Sequence, residues 1–143
     1  MFVTEPQDNG EVDRAAKQGK IPIPKPFVGP SGDPSLVAAF AKLASDGVDA
    51  TAAARADLVA IGSGPNERTV GGAVLARGWK ALWRGKLTIA STIAGLAPSG
   101  TTGWVAAHVA LAKGSYTTPF TLFCVFDKTA TGEWSLVHIH FGV

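Results

Sequence analysis

The chain has 143 residues, enough for one domain with a core of its own. Its 46% hydrophobic and 17% charged content excludes a disordered chain, and a net charge of +2 argues against a nucleic-acid partner. A single cysteine, Cys124, excludes an intramolecular disulfide and reads as a buried thiol on a strand.

Residues 1–32 read as an extended arm. They hold five of the nine prolines, mixed charges and few apolar residues. Ile21-Pro22-Ile23-Pro24-Lys25-Pro26 is expected to be extended, because proline fixes φ and restricts the residue before it. The arm is either a tail or a segment laid on a neighbouring surface, and Ile21, Ile23, Phe27 and Val28 are the residues that would dock. Met1-Phe2-Val3-Thr4-Glu5-Pro6 does not read as a signal peptide, and no apolar run is long enough for a membrane span. A cytoplasmic location is the default, with an exported chain stripped of its signal peptide as the alternative.

The domain is expected over residues 33–143. Asp33-Pro34 starts a helix, with a capping carboxylate followed by proline at the first helical position. Leu36, Phe40 and Leu43 recur at helical spacing, and Gly47 should end the run. Asp49 caps a short alanine-rich helix. Residues 58–61 read as a strand, 62–67 as a turn, and Thr69-Val70 as a returning strand. Gly71-Gly72 opens a third helix with Leu75, Trp79 and Leu82 on one face and Trp83 alongside, and Gly85 should stop it. Gly78 inside this helix is expected where another backbone comes close.

Four strands follow, at 87–96, 104–111, 116–126 and 134–141. Pro119 cannot donate to a ladder, so it marks an edge, a bulge or a bend. In the last strand a period of two puts Trp134, Leu136, His138 and His140 on one face and Ser135, Val137, Ile139 and Phe141 on the other. Helices followed by an antiparallel meander make an α+β arrangement.

The order and spacing of several segments resemble the SnoaL-like family of the nuclear transport factor 2 and ketosteroid isomerase superfamily. The residues that carry the resemblance are Asp57 to Glu67, with Ile61-Gly62-Ser63 and Pro65-Asn66-Glu67, then Val70-Gly71-Gly72 with the helix to Trp83. Gly103-Trp104-Val105 and the closing Gly132-Glu133-Trp134-Ser135-Leu136-Val137-His138-Ile139-His140-Phe141 complete them. The resemblance covers about residues 33–143, and Gly142 departs from the serine that often follows the closing histidines. It implies a cone-shaped, curved antiparallel sheet wrapped around the N-terminal helices, a cavity for a small apolar ligand, and a homodimer through the outer sheet face. It does not fix a reaction, because one fold hosts many.

Ketosteroid isomerase chemistry needs a carboxylate base in the pocket. That base is expected near Gly62-Ser63, where no acid stands. Asp57 is the nearest candidate, and a capping or turn role suits it better. Proton transfer would then fall to His140 and His108 as candidate catalytic groups. Trp79, Trp83, Trp104, Tyr116 and His138 are candidates for the pocket lining, while Trp134 reads as packing. No metal site is expected, since the three histidines have no fourth ligand in a recognisable spacing, and no cofactor is implied. The expected function is small-molecule binding in a histidine-containing cavity, with isomerase, cyclase or hydratase chemistry as its enzymatic form. The alternative is a non-catalytic dimeric or ligand-carrier module.

Overall fold

Helix α1 (Pro34–Asp46) begins where the sequence places it. The Asp33 carboxylate accepts the backbone N–H groups of Ser35 and Leu36, and the Ser35 hydroxyl, with these N–H groups, holds its pKa below the usual carboxylate range. Gly47 closes the helix at φ 86°, a left-handed value that favours glycine, and its N–H donates to Leu43 O. Leu36, Phe40 and Leu43 form the buried stripe. The computed structural model describes residues 29–82 and 86–142. The expected arm up to residue 28, Trp83 and the expected stop at Gly85 lie outside them.

The remaining elements are α2 (Ala50–Ala53), β1 (Val59–Ile61), β2 (Arg68–Val70), α3 (Gly72–Leu82), β3 (Lys86–Leu96), β4 (Thr102–Lys113), β5 (Tyr116–Lys128) and β6 (Trp134–Gly142). Asp49 caps α2 by accepting from Ala52 N. The strands form one curved sheet in the order β2-β1-β6-β5-β4-β3. All pairings are antiparallel except one: β1 lies parallel to β6, with Ala60 beside Ile139. The expected all-antiparallel sheet is thus a mixed one, because the chain crosses from β2 over α3 and the meander before β6 returns beside β1. No described helix is long and apolar enough to cross a membrane.

Pro119 sits in β5 opposite Ala110 of β4, whereas pairing of β5 with β6 begins only at Thr121. Its missing N–H therefore falls on a stretch that β6 does not reach, so of the three expected roles it fills the edge. Gly78 differs from expectation. A Cβ added there would meet nothing within 4 Å. Gly78→Ala should raise stability by about 1 kcal/mol, the helix-propensity difference, with nothing to displace. A urea titration of both proteins measures it.

The core lies between the helices and one sheet face. Val105, Ala107, Val109 and Leu111 of β4 meet Leu122, Cys124 and Phe126 of β5, with α1 above them. Cys124 is fully buried, which raises its thiol pKa far above the usual value.

The last strand departs from strict alternation. Leu136 pairs with Phe126 and His138 with Val125, so Val137 is an extra residue, a β-bulge. Below the bulge Trp134 and Leu136 face the core; above it Ile139 and Phe141 do. His138 and His140 therefore point to the opposite, outer face. The expected shared face of Trp134, Leu136, His138 and His140 is corrected here, because one inserted residue reverses the parity of everything beyond it.

Candidate functional site

A cavity of about 370 Å³ opens between α1, α2 and the base of the β5–β6 hairpin. Trp134 and Leu136 form its sheet wall, with Phe126 beside them. Lys42, Thr51, Asp49 and Glu133 supply its polar rim. Trp134 is 8% exposed, and three groups fix its ring. Its Nε1 donates to Ser35 Oγ at 2.9 Å, Ser35 Oγ donates to Asp33 Oδ1, and Lys128 Nζ stands 5.0 Å from the ring centroid. The buried indole N–H thus has its partner, and the α1 cap is tied to the cavity wall.

Of the carboxylates on the rim, Asp49 is engaged by the N–H of Ala52, and Glu133 lies on an exposed turn. Asp57 lies away from the cavity. It takes Nε and Nη2 of Arg55 at 3.1 and 3.0 Å, and this pairing lowers its pKa. Asp57 is an ion-pair residue at the end of α2, as its turn role suggested.

None of the three histidines lines this cavity. His108 of β4 alternates with the core residues Ala107 and Val109 and stands opposite Thr121 on the outer face. Burial lowers its pKa. His138 and His140 share that face, for the reason given by the bulge. Trp104 is there too, stacked on Phe123 with ring centroids 6.1 Å apart and lying close over Gly95. Tyr116 is 61% exposed at the β4–β5 turn. Among the expected lining residues Trp79 comes nearest: its indole packs against Gly47, which belongs to the cavity wall. Trp83 lies outside the described residues. The structure thus separates the histidines from the hollow, while Trp134, read from the sequence as packing, belongs to the buried core and lines the hollow as well. The missed signal was the indole N–H, which needs an acceptor when buried; its partner lies 99 positions away. Among the described residues no three His, Cys, Asp or Glu side chains gather in a metal-binding group.

Residues 35–143 match the SnoaL-like domain. The chain belongs to the SnoaL-like family. The match runs from the first turn of α1 through β6, so it takes in the cavity and both sheet faces of this SnoaL-like chain. Solved structures share its fold. A Xanthomonas campestris protein provisionally named a calcium/calmodulin dependent protein kinase II association domain superposes with a TM-score of 0.60 at 14% identity, covering 84% of this chain and 94% of that one. A Parabacteroides distasonis protein provisionally named a ketosteroid isomerase gives 0.57 at 8% identity, covering 75% and 83%. A second Xanthomonas campestris protein, provisionally named a polyketide cyclase, gives 0.52 at 17% identity, covering 76% and 87%. At such identities the likeness is one of fold alone. None of the curated proteins matches this SnoaL-like sequence.

Proposed function

We propose that this SnoaL-like protein binds a small, mainly apolar molecule in the cavity between α1, α2 and β6, as a carrier or sensor rather than through histidine acid–base catalysis. The cavity carries the proposal. Its volume of about 370 Å³ suits a small molecule, whose pockets run from about 300 to 1,000 Å³. Trp134, Leu136 and Phe126 offer an apolar wall, and Lys42 and Thr51 offer one cation and one hydroxyl to orient a polar end. The provisional names of two neighbours, ketosteroid isomerase and polyketide cyclase, point toward ring-containing or polyketide-like ligands. Isomerase chemistry needs a base beside the ligand. The carboxylates of the rim are a helix cap and a turn residue, and the imidazoles stand on the other side of the sheet.

The test uses progesterone and anilinonaphthalene sulfonate as probes. Ala38, on the exposed part of α1 and at the cavity, can be enlarged without touching the core. Ala38→Trp should weaken probe binding about tenfold or more, a loss of about 1.4 kcal/mol, while His140→Gln leaves it unchanged. Unaltered binding in Ala38→Trp, or a loss in His140→Gln, would move the ligand out of this cavity. Failure of the wild-type protein to bind either probe would end the proposal for these ligand classes.

A further inference from the structure

The cavity has two unlike ends. On α1, Ser35, Ala38, Ala39 and Lys42 follow one another at helical spacing along its wall. Ser35 marks one end, where its hydroxyl takes the Trp134 indole N–H at 2.9 Å. Lys42 marks the other, two turns further along α1, which is about 10 Å of helix axis. The alanines between them add no bulk. The long side chain of a helical lysine leans over the turn before it, which is how an exposed lysine comes to line the cavity.

The charges differ from end to end. Glu133 belongs to the hairpin end, with Gly132 and Trp134. Lys42 belongs to the end formed by α2, because α1 closes at Gly47 and the chain turns straight into Asp49 and Thr51. Asp49 already accepts the N–H of Ala52 at 2.9 Å. Both ion pairs among the described residues are made by Arg55, and neither includes Lys42. The α2 end therefore presents an ammonium group with no carboxylate at ion-pair distance among the described residues, next to a hydroxyl able to donate.

We propose that the ligand of this cavity is an aryl carboxylic acid, with its ring against Trp134 and Leu136 and its carboxylate on Lys42 and Thr51. This rests on the cavity being the binding site, as argued above, and names the head group that the site selects. A carboxylate gives Lys42 a charge-assisted partner, and the Thr51 hydroxyl donates to its second oxygen. A neutral ligand of the same shape covers the ammonium without pairing it, a desolvation cost that nothing offsets. An amine at this end meets like charge. An acid turned end for end meets Glu133, so the charges fix orientation as well as class.

Isothermal titration of the full-length protein with naphthaleneacetic acid, its amide and naphthylethylamine tests this. The acid should bind about fivefold tighter than the amide, with the amine weakest. Raising the salt concentration should shrink the acid's advantage, since an ion pair at a cavity rim is screened. Lys42→Gln should bring acid and amide to equal affinity, and Lys42→Glu should place the amine above the acid. Lys113→Gln removes an exposed cation at the opposite end of β5 from Phe126 and should keep the wild-type ratio. Equal binding of acid and amide by the wild-type protein would overturn the proposal and leave the cavity reading standing. A ratio that answers to Glu133→Gln but not to Lys42→Gln would also overturn it, by moving the head group to the hairpin end. If none of the three compounds binds, the proposal falls, and progesterone binding under the same conditions tells whether the cavity reading falls with it.

Discussion

Ile139→Asp should leave no folded protein at room temperature, whereas His140→Asp, one position on, should fold. Ile139 is fully buried beside Cys124 and Ala60, and His140 is exposed on the other face. Losing the isoleucine packing costs about 2–5 kcal/mol, and an unpaired carboxylate in its place adds several more. Together these reach the whole stability of an ordinary domain, about 5–15 kcal/mol. The histidine replacement should cost about 1 kcal/mol or less. Circular dichroism and thermal melting of the two variants read the difference. If the outcomes were reversed, β6 would be straight, with its histidines inward.

Gly72→Ala should lower stability by about 3 kcal/mol and the melting temperature by roughly 10 °C. Gly72 opens α3, and its N–H donates to Arg55 O at 2.7 Å. A Cβ there would fall inside the carbonyl oxygen of Ala52 and close on Ala53 Cα. Both neighbours are backbone, so no rotamer change relieves the clash and α2 itself must move. Because α2 brings Asp49, Thr51 and Ala52 to the cavity, probe affinity should fall with stability. Calorimetry and a progesterone titration check the two effects. Gly78→Ala, six positions along the same helix, should have the opposite sign. Equal effects would mean that helix propensity, not close approach, governs both glycines.

Much of this was legible because it is local. Asp33-Pro34 announces a helix start through atoms two and three residues away, and Gly47 ends the helix through its own φ. The succession of helices and strands followed from periodicity and turn residues, and was enough to carry the family resemblance. What escaped is non-local. Nothing around Val137 in sequence signals that it is the extra residue; the bulge exists because Leu136 must meet Phe126 while Ile139 meets Cys124. An apolar valine fits either parity, so the sequence alone predicts strict alternation, with His138 and His140 on the face of Trp134 and Leu136. Trp134 packs as the sequence suggests, but its tie to the cavity wall is not legible there because its partner Ser35 sits on the first helix. The parallel pairing of β1 and β6 joins segments separated by α3 and the entire meander.

That parallel pairing bears on how the protein is made. β6 emerges from the ribosome after every other strand, yet its place is between β1 and β5. A nascent chain can zip β3, β4 and β5 together early and pair β1 with β2, but the two parts have nothing to join them until β6 has cleared the exit tunnel. Until then β5 offers an unpaired edge, and on a crowded polysome the nearest matching strand belongs to a sister chain. Closure of the sheet thus waits for β6, the strand that joins its two parts.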